Sequence, residues 1–149
     1  MSRLDVRESI FIDAPPQQVW DLIMDPARLE EWVTTHHSVK DVEPGPVTKG
    51  DSFKQKLKLA GTRFKVEWTV VEADRPRLAR WTGDGPAGSS AEVIYRLAEE
   101  DGKTRFDYEN EFSLPGGAVG KAAGGALSKA PGAREAKKSL RKLKKLLES

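Results

Sequence analysis

The residues best suited to chemistry in this sequence are aromatic alcohols, amides and one carboxylate set among large apolar neighbours. Tyr95 lies in the alternating run Ala91, Val93, Tyr95, Leu97, and Tyr108 and Asn110 lie between Phe106 and Phe112. Gln55 falls between Phe53 and Leu57, and Trp68 follows Phe64 and Val66. Residues two apart in a strand share a face, so these polar groups belong to otherwise apolar walls. A buried polar group left unpaired costs about 1–3 kcal/mol, which a plain core avoids and a ligand pocket uses. Glu8 shares the parity of Leu4, Val6, Ile10 and Ile12. A carboxyl in an apolar wall tends to hold its proton, which suits general acid work; near the end of a sheet it would be a solvated surface acid. Tyr108, Tyr95 and Glu8 are therefore the candidate proton-handling groups. For Tyr95, Tyr108 and Trp68, packing alone, with the polar tip on a carbonyl or at a rim, is the alternative.

His36 and His37 are the only histidines. On a strand they would point to opposite faces and could not chelate one metal. A general base at a pocket mouth is one reading. A solvated loop is the preferred one, because no acid or serine nearby in sequence orients either ring. No nucleophile elbow, phosphate-cradling glycine loop or zinc spacing is present. No metal or cofactor is expected.

These side chains need elements to position them. Residues 4–12 alternate as a half-buried strand. Asp13-Ala14-Pro15-Pro16 ends it and lets a helix begin, with Val19, Trp20 and Ile23 on its apolar face. Asp25-Pro26 starts a second short helix carrying Leu29 and Trp32. Strands are then expected at 39–42, 53–59, 64–70, 78–82, 91–97 and 106–112. Asp101-Gly102 marks the last hairpin. The expected inner face holds Phe53, Gln55, Leu57, Leu59, Phe64, Val66, Trp68, Val70, Val93, Tyr95, Leu97, Phe106, Tyr108, Asn110 and Phe112, and a bulge would invert part of it.

Residues 118–147 read as a helix in two parts, weak and Gly/Ala-rich first, then amphipathic through Leu140, Leu143 and Leu147. Unbroken, 30 residues would span about 45 Å, against about 30 Å for a nine-residue strand, so a kink near Pro131 is expected. The order β-α-α-β-β-β-β-β-β-α implies an antiparallel meander covered by the terminal helix. This is an α+β fold with a seven-stranded curved sheet, expected as one domain over 1–149.

The 149 residues suffice for a core without staples. Absence of cysteine excludes disulfides and thiol chemistry and fits the cytoplasm. No apolar run approaches a membrane span, and the first eight residues lack a secretory h-region. A net charge of +2, from 25 basic and 23 acidic residues, does not indicate a nucleic-acid binder. The charge is uneven, with seven basic residues and one acid between Arg134 and Lys145. Lys137, Lys138, Arg141, Lys142 and Lys145 could touch an anionic membrane; the simpler reading is the exposed face of a helix whose leucines pack inward.

The run Ile10-Phe11-Ile12-Asp13-Ala14-Pro15-Pro16-Gln17-Gln18-Val19-Trp20, and Asp25-Pro26-Ala27-Arg28-Leu29-Glu30-Glu31-Trp32 after it, resemble the opening of polyketide cyclase/dehydratase-like proteins of the SRPBCC, or START-like, superfamily. The likeness spans 4–147 and implies the helix-grip fold shared with the birch-pollen allergen family. That superfamily includes lipid and sterol carriers, polyketide cyclases and coenzyme-Q-binding proteins, so fold alone does not choose an activity. It also implies that the segment 116–126 lies at the pocket entrance. Four or five glycines there, each costing about 1 kcal/mol in a helix, suggest a gate formed with the 83–90 loop.

The preferred expectation is a non-enzymatic pocket between sheet and helix for a lipid, isoprenoid, polyketide or similar apolar molecule. Its walls would be Gln55, Leu57, Phe64, Val66, Trp68, Val93, Tyr95, Phe106, Tyr108, Asn110 and Phe112. One alternative is a cyclase or dehydratase using the same pocket. Another is a membrane- or protein-docking adaptor acting through the basic helix. The oligomeric state is not legible.

Overall fold

The computed structural model describes residues 2–40, 42–59, 61–114 and 129–149. Its first strand, β1 (Ser2–Ile12), is followed by α1 (Pro16–Ile23) and a short 3-10 helix (Pro26–Glu31). Six more strands follow: β2 (His36–Lys40), β3 (Ser52–Leu59), β4 (Thr62–Asp74), β5 (Leu78–Asp84), β6 (Ser90–Glu100) and β7 (Lys103–Leu114). A helix, α2 (Lys129–Glu148), ends the chain.

Local chemistry explains the boundaries. Pro15 and Pro16 start α1 where a missing N–H costs no bond, and Val19, Trp20, Leu22 and Ile23 are buried along it. Asp25 caps the 3-10 helix, its Oδ1 accepting from the Ala27 N–H at 3.0 Å. Asp101 and Gly102 both take positive φ, 52° and 79°, as a tight primed hairpin requires.

The seven strands form one curved antiparallel sheet in the order β1-β7-β6-β5-β4-β3-β2. Only the β1 pairing departs from the meander, since β1 joins β7. The inner face reads as cross-strand rows. One runs Phe112, Ala91, Gly83, Trp68, Phe53; the next Val6, Asn110, Val93, Trp81, Val70; the next Glu8, Tyr108, Tyr95, Ala79; the last Ile10, Phe106, Leu97. A bulge between Val70 and Glu72 inverts the parity of β4, so Val66, Trp68 and Val70 face inward before it and Ala73, opposite Ala79, after it.

Small residues sit beside large ones in these rows, Ala91 and Gly83 between Phe112 and Trp68 and Ala79 next to Tyr95, as interdigitated packing demands. Gly83 shows the need most sharply. A Cβ there would lie 2.5 Å from Val66 Cγ1 and 2.8 Å from Trp68 Cε3. The glycine lets both side chains lie over the strand.

The α2 helix packs along β1, burying Ala136, Ser139, Leu140 and Leu143. Its last turn is tied to β1, with Lys144 Nζ donating to the Phe11 carbonyl at 2.8 Å and the Asp13 N–H donating to Glu148 Oε2 at 2.8 Å. The backbone is helical from Lys129 on, with Pro131 in the first described turn. The kink expected near Pro131 borders residues 115–128, outside the described residues. The glycine-rich half of the expected gate lies outside them too. The other half, 83–90, is a turn bonded to itself through Ser89 Oγ to the Pro86 carbonyl (2.7 Å) and the Gly85 N–H to the Ser89 carbonyl (2.9 Å).

Candidate functional site

A cavity of about 100 Å³ lies between the inner face of the sheet and the cover formed by α2 and the 3-10 helix. Its sheet walls include Gln55, Leu57, Phe64 and Trp68 from β3 and β4, and Val93, Tyr95, Tyr108, Asn110 and Phe112 from β6 and β7. Two of the expected wall residues stand elsewhere. Val66, 1% exposed, is packed over Gly83, and Phe106, 0% exposed, belongs to the solid row beyond the tyrosines. Both face inward as their parity requires, but neighbouring side chains fill the space in front of them. Glu8 is half-buried opposite Tyr108 on β1 and does not line the cavity, whereas Val6 of the same strand does.

Several wall residues were not expected. Trp81 comes from β5, whose inner face the sequence pattern left unassigned. Leu29, Trp32, Val33 and Thr35 come from the 3-10 helix and the segment after it. Glu135, Ala136, Ser139 and Leu140 come from α2. The signal for Trp32 was its place on the apolar side of a capped short helix. Glu135 was hidden in a run of basic residues.

Tyr95 is the centre of the aromatic packing. Its ring lies 5.4 Å from Trp81, 5.3 Å from Phe106, 6.0 Å from Tyr108 and 6.3 Å from Trp32, centroid to centroid. Trp81 in turn meets Phe53 at 5.2 Å and Trp68 at 6.0 Å. Most of these pairs are edge-to-face, each worth about 0.5–1.5 kcal/mol beyond area burial. The wall is therefore held by its own rings.

The polar groups are arranged with direction. Asn110 Nδ2 donates to the Tyr108 hydroxyl oxygen at 2.9 Å, which leaves the phenolic proton for another acceptor. The Tyr95 hydroxyl has no hydrogen-bond partner among the described residues. Burial pushes both phenols up from their ordinary value, Tyr95 strongly and with a further push from Tyr108, so both remain proton donors across the physiological range. Asn110 Oδ1, Trp32 Nε1 and Trp81 Nε1 are buried without a hydrogen-bond partner among the described residues.

A second set runs from the wall to the sheet edge. Trp68 Nε1 donates to Gln55 Oε1 at 2.9 Å, and Gln55 Nε2 lies 2.9 Å from His36 Nδ1. With its oxygen engaged, Gln55 presents an N–H, so Nδ1 of His36 is the acceptor and the ring proton sits on Nε2. Desolvation pulls His36 below the ordinary histidine value, Glu30 opposing and His37 adding to the fall. The expected solvated loop is thus corrected. His36 and His37 begin β2, the first half-buried and bonded, the second exposed. Its partner lies 19 residues away and reaches it through β2–β3 pairing.

Lys137, Lys138, Arg141, Lys142 and Lys145 are all exposed, on the side of α2 away from its buried leucines. Among the described residues no group of three or more His, Asp or Glu side chains is placed to hold a metal ion, and no helix is long and apolar enough to cross a membrane.

Fold and cavity together define a helix-grip protein, a curved sheet wrapped around a long helix. Residues 3–148 match the family described as polyketide cyclase/dehydrase and lipid transport, and the chain belongs to that family. An uncharacterised protein of Mycobacterium tuberculosis is 26% identical over 130 residues, covering 83% of this chain and 91% of that one. The solution structure of the KanY protein is similar in fold, with a TM-score of 0.74 at 20% identity over 100% of both chains. Ara h 8.0201 shares it at a TM-score of 0.64 and 14% identity over 98% of each chain.

Proposed function

We propose that the protein binds and carries a small, largely apolar, ring-containing molecule in the cavity between sheet and α2. The observation behind this reading is the cavity wall itself, lined by Trp32, Trp68, Trp81, Tyr95 and Tyr108, with the two tyrosine rings 6.0 Å apart. Burial of an apolar ligand supplies about 25 cal/mol per Å², and the Tyr95 and Tyr108 hydroxyls orient an oxygen on it. Single-ring molecules suit a space of about 100 Å³ better than long acyl chains. The family supports small-ligand binding of this kind. Native mass spectrometry of the protein as purified, followed by extraction, tests it. A co-purifying ring compound is the expected result. An empty protein that also fails to bind any member of an aromatic panel overturns the reading.

The Asn110–Tyr108 hydrogen bond favours one second reading, an enzyme of the cyclase or dehydratase type. A phenol that keeps its proton and already accepts one bond from Asn110 has that proton to offer, so Tyr108 would act as an acid toward a ligand carbonyl, with the cavity supplying position. Tyr108→Phe separates the readings. An enzyme turns over a member of a poly-ketone substrate panel and loses that turnover, not its binding, in the variant; a carrier shows no turnover in either form and keeps its binding with at most a modest loss.

The exposed cations of α2 would add weak, salt-sensitive contact with an anionic membrane, checked by sedimentation with phosphatidylserine vesicles at low and high salt. The chain's lack of cysteine agrees with residence in the cytoplasm.

A further inference from the structure

The cavity's one charged wall residue among those described is Glu135. It lies on α2 one turn before Ser139, so the two share a face, with Ala136 and Leu140 completing the helix side of the cavity. The carboxylate is held in place from outside the helix. Thr34 Oγ1 donates to Glu135 Oε2 at 2.6 Å, the Thr34 N–H donates to Ser139 Oγ at 3.0 Å, and the two hydroxyl oxygens are 3.2 Å apart. Because the single Thr34 hydroxyl proton is directed to Glu135, the proton between the hydroxyls comes from Ser139. The chain Ser139 to Thr34 to Glu135 ends on one carboxylate oxygen. The other, Oε1, has no hydrogen bond among the described residues; Lys138 Nζ approaches it at 3.8 Å from an exposed position. A contact of that length and exposure is worth little.

We propose that Glu135 is the recognition group for the ligand's polar arm, and that the preferred ligand is an aromatic ring bearing a short hydrogen-bond-donating arm, best of all a protonated amine. A carboxylate can only accept, so it selects donors, and a charge-assisted bond is stronger than a neutral one. Among the described lining residues there is no cation, and the competitor for the carboxylate, Lys138, is exposed and outside the wall. Trp32, Trp68 and Trp81 in the same wall are the residue type that best accommodates a cation. The sheet side recognises a ring and an oxygen, while the helix side recognises a donor. The inference rests on the cavity being a ligand site.

The test is a titration followed by NMR of the intact chain with three ring-sized probes: benzylamine, benzyl alcohol and phenylacetate. Benzylamine is expected to bind about tenfold more tightly than phenylacetate, with benzyl alcohol between them. The order is expected to persist at 0.5 M salt, where surface attraction is screened. In Glu135→Gln the advantage of benzylamine over benzyl alcohol is expected to vanish while benzyl alcohol still binds. Equal affinities for benzylamine and phenylacetate in the wild-type chain, or an order that disappears at 0.5 M salt, would overturn the assignment of Glu135 even if the variant fails to fold. If benzyl alcohol binds and the order is absent, only the Glu135 assignment falls. If none of the three perturbs the resonances of Trp81 and Tyr95, the cavity reading falls with it.

Discussion

The two halves of the interface between sheet and helix are built differently. In one half Ile12, Leu97, Phe106 and Leu143 are each 5% exposed or less, and none lines the cavity described above. In the other, about 10 Å back along α2, the helix offers Ala136, Ser139 and Glu135 beside Leu140, in a wall shared with the tryptophans and tyrosines of the sheet. The sheet changes from wholly apolar to polar-aromatic between neighbouring rows, from the Phe106 row to the Tyr108–Tyr95 row. The solid half supplies fold stability, and the hollow half gives part of it up to leave space with polar groups in its walls.

That contrast can be broken at either end. The largest effect is expected from Leu143→Ala, which removes a fully buried side chain from the solid half and should cost about 2–5 kcal/mol in denaturant unfolding. Gly83→Ala follows, at about 1–3 kcal/mol. Its Cβ must displace Val66 and Trp68, so the tryptophan fluorescence should shift as well. In the hollow half Ala136→Leu fills the space under the helix. Unfolding free energy should change by less than about 1.5 kcal/mol, while affinity for a ring-sized probe should fall about tenfold or more, read by titration.

The smallest effect is a slope with pH. The His36 value is lowered in the folded state, so the two states bind protons equally above the ordinary value of 6.5, and the unfolded chain binds more as pH falls below it. Stability should therefore decline from about pH 6.5 downward until the folded ring is itself protonated. Protonation places a second N–H against Gln55 and opens the link to Trp68. His36→Gln, which does not titrate, should lose this part of the slope in thermal melts.

The alternation of apolar residues made the sheet legible, and capping signals at Pro15-Pro16 and Asp25-Pro26 made the short helices so. Parity also placed Tyr95, Tyr108, Asn110, Gln55 and Trp68 on one face correctly, but it carries no information on depth. Val66 and Phe106 satisfy the same pattern as the wall residues and are covered by neighbours. Trp81 was missed because β5 is short, contains Gly83 and opposes a bulge in β4, so its alternation is weak in isolation. Glu135 was missed because a basic run reads as a solvated face, and its fixed partner, Thr34, lies 101 residues away. Long-range pairings of that kind have no local signature, and His36 with Gln55 is the same case.

The fastening of α2 to β1 through Lys144 and Glu148 makes the helix a lever. Glu135 stands 13 residues from Glu148, about 20 Å at 1.5 Å per residue. Pivoting about the fixed end, a tilt of about 10° carries Glu135 through about 3 Å, enough to part it from Thr34 while the leucine end scarcely moves. Small rotations at the closed end are thereby magnified where the cavity lies.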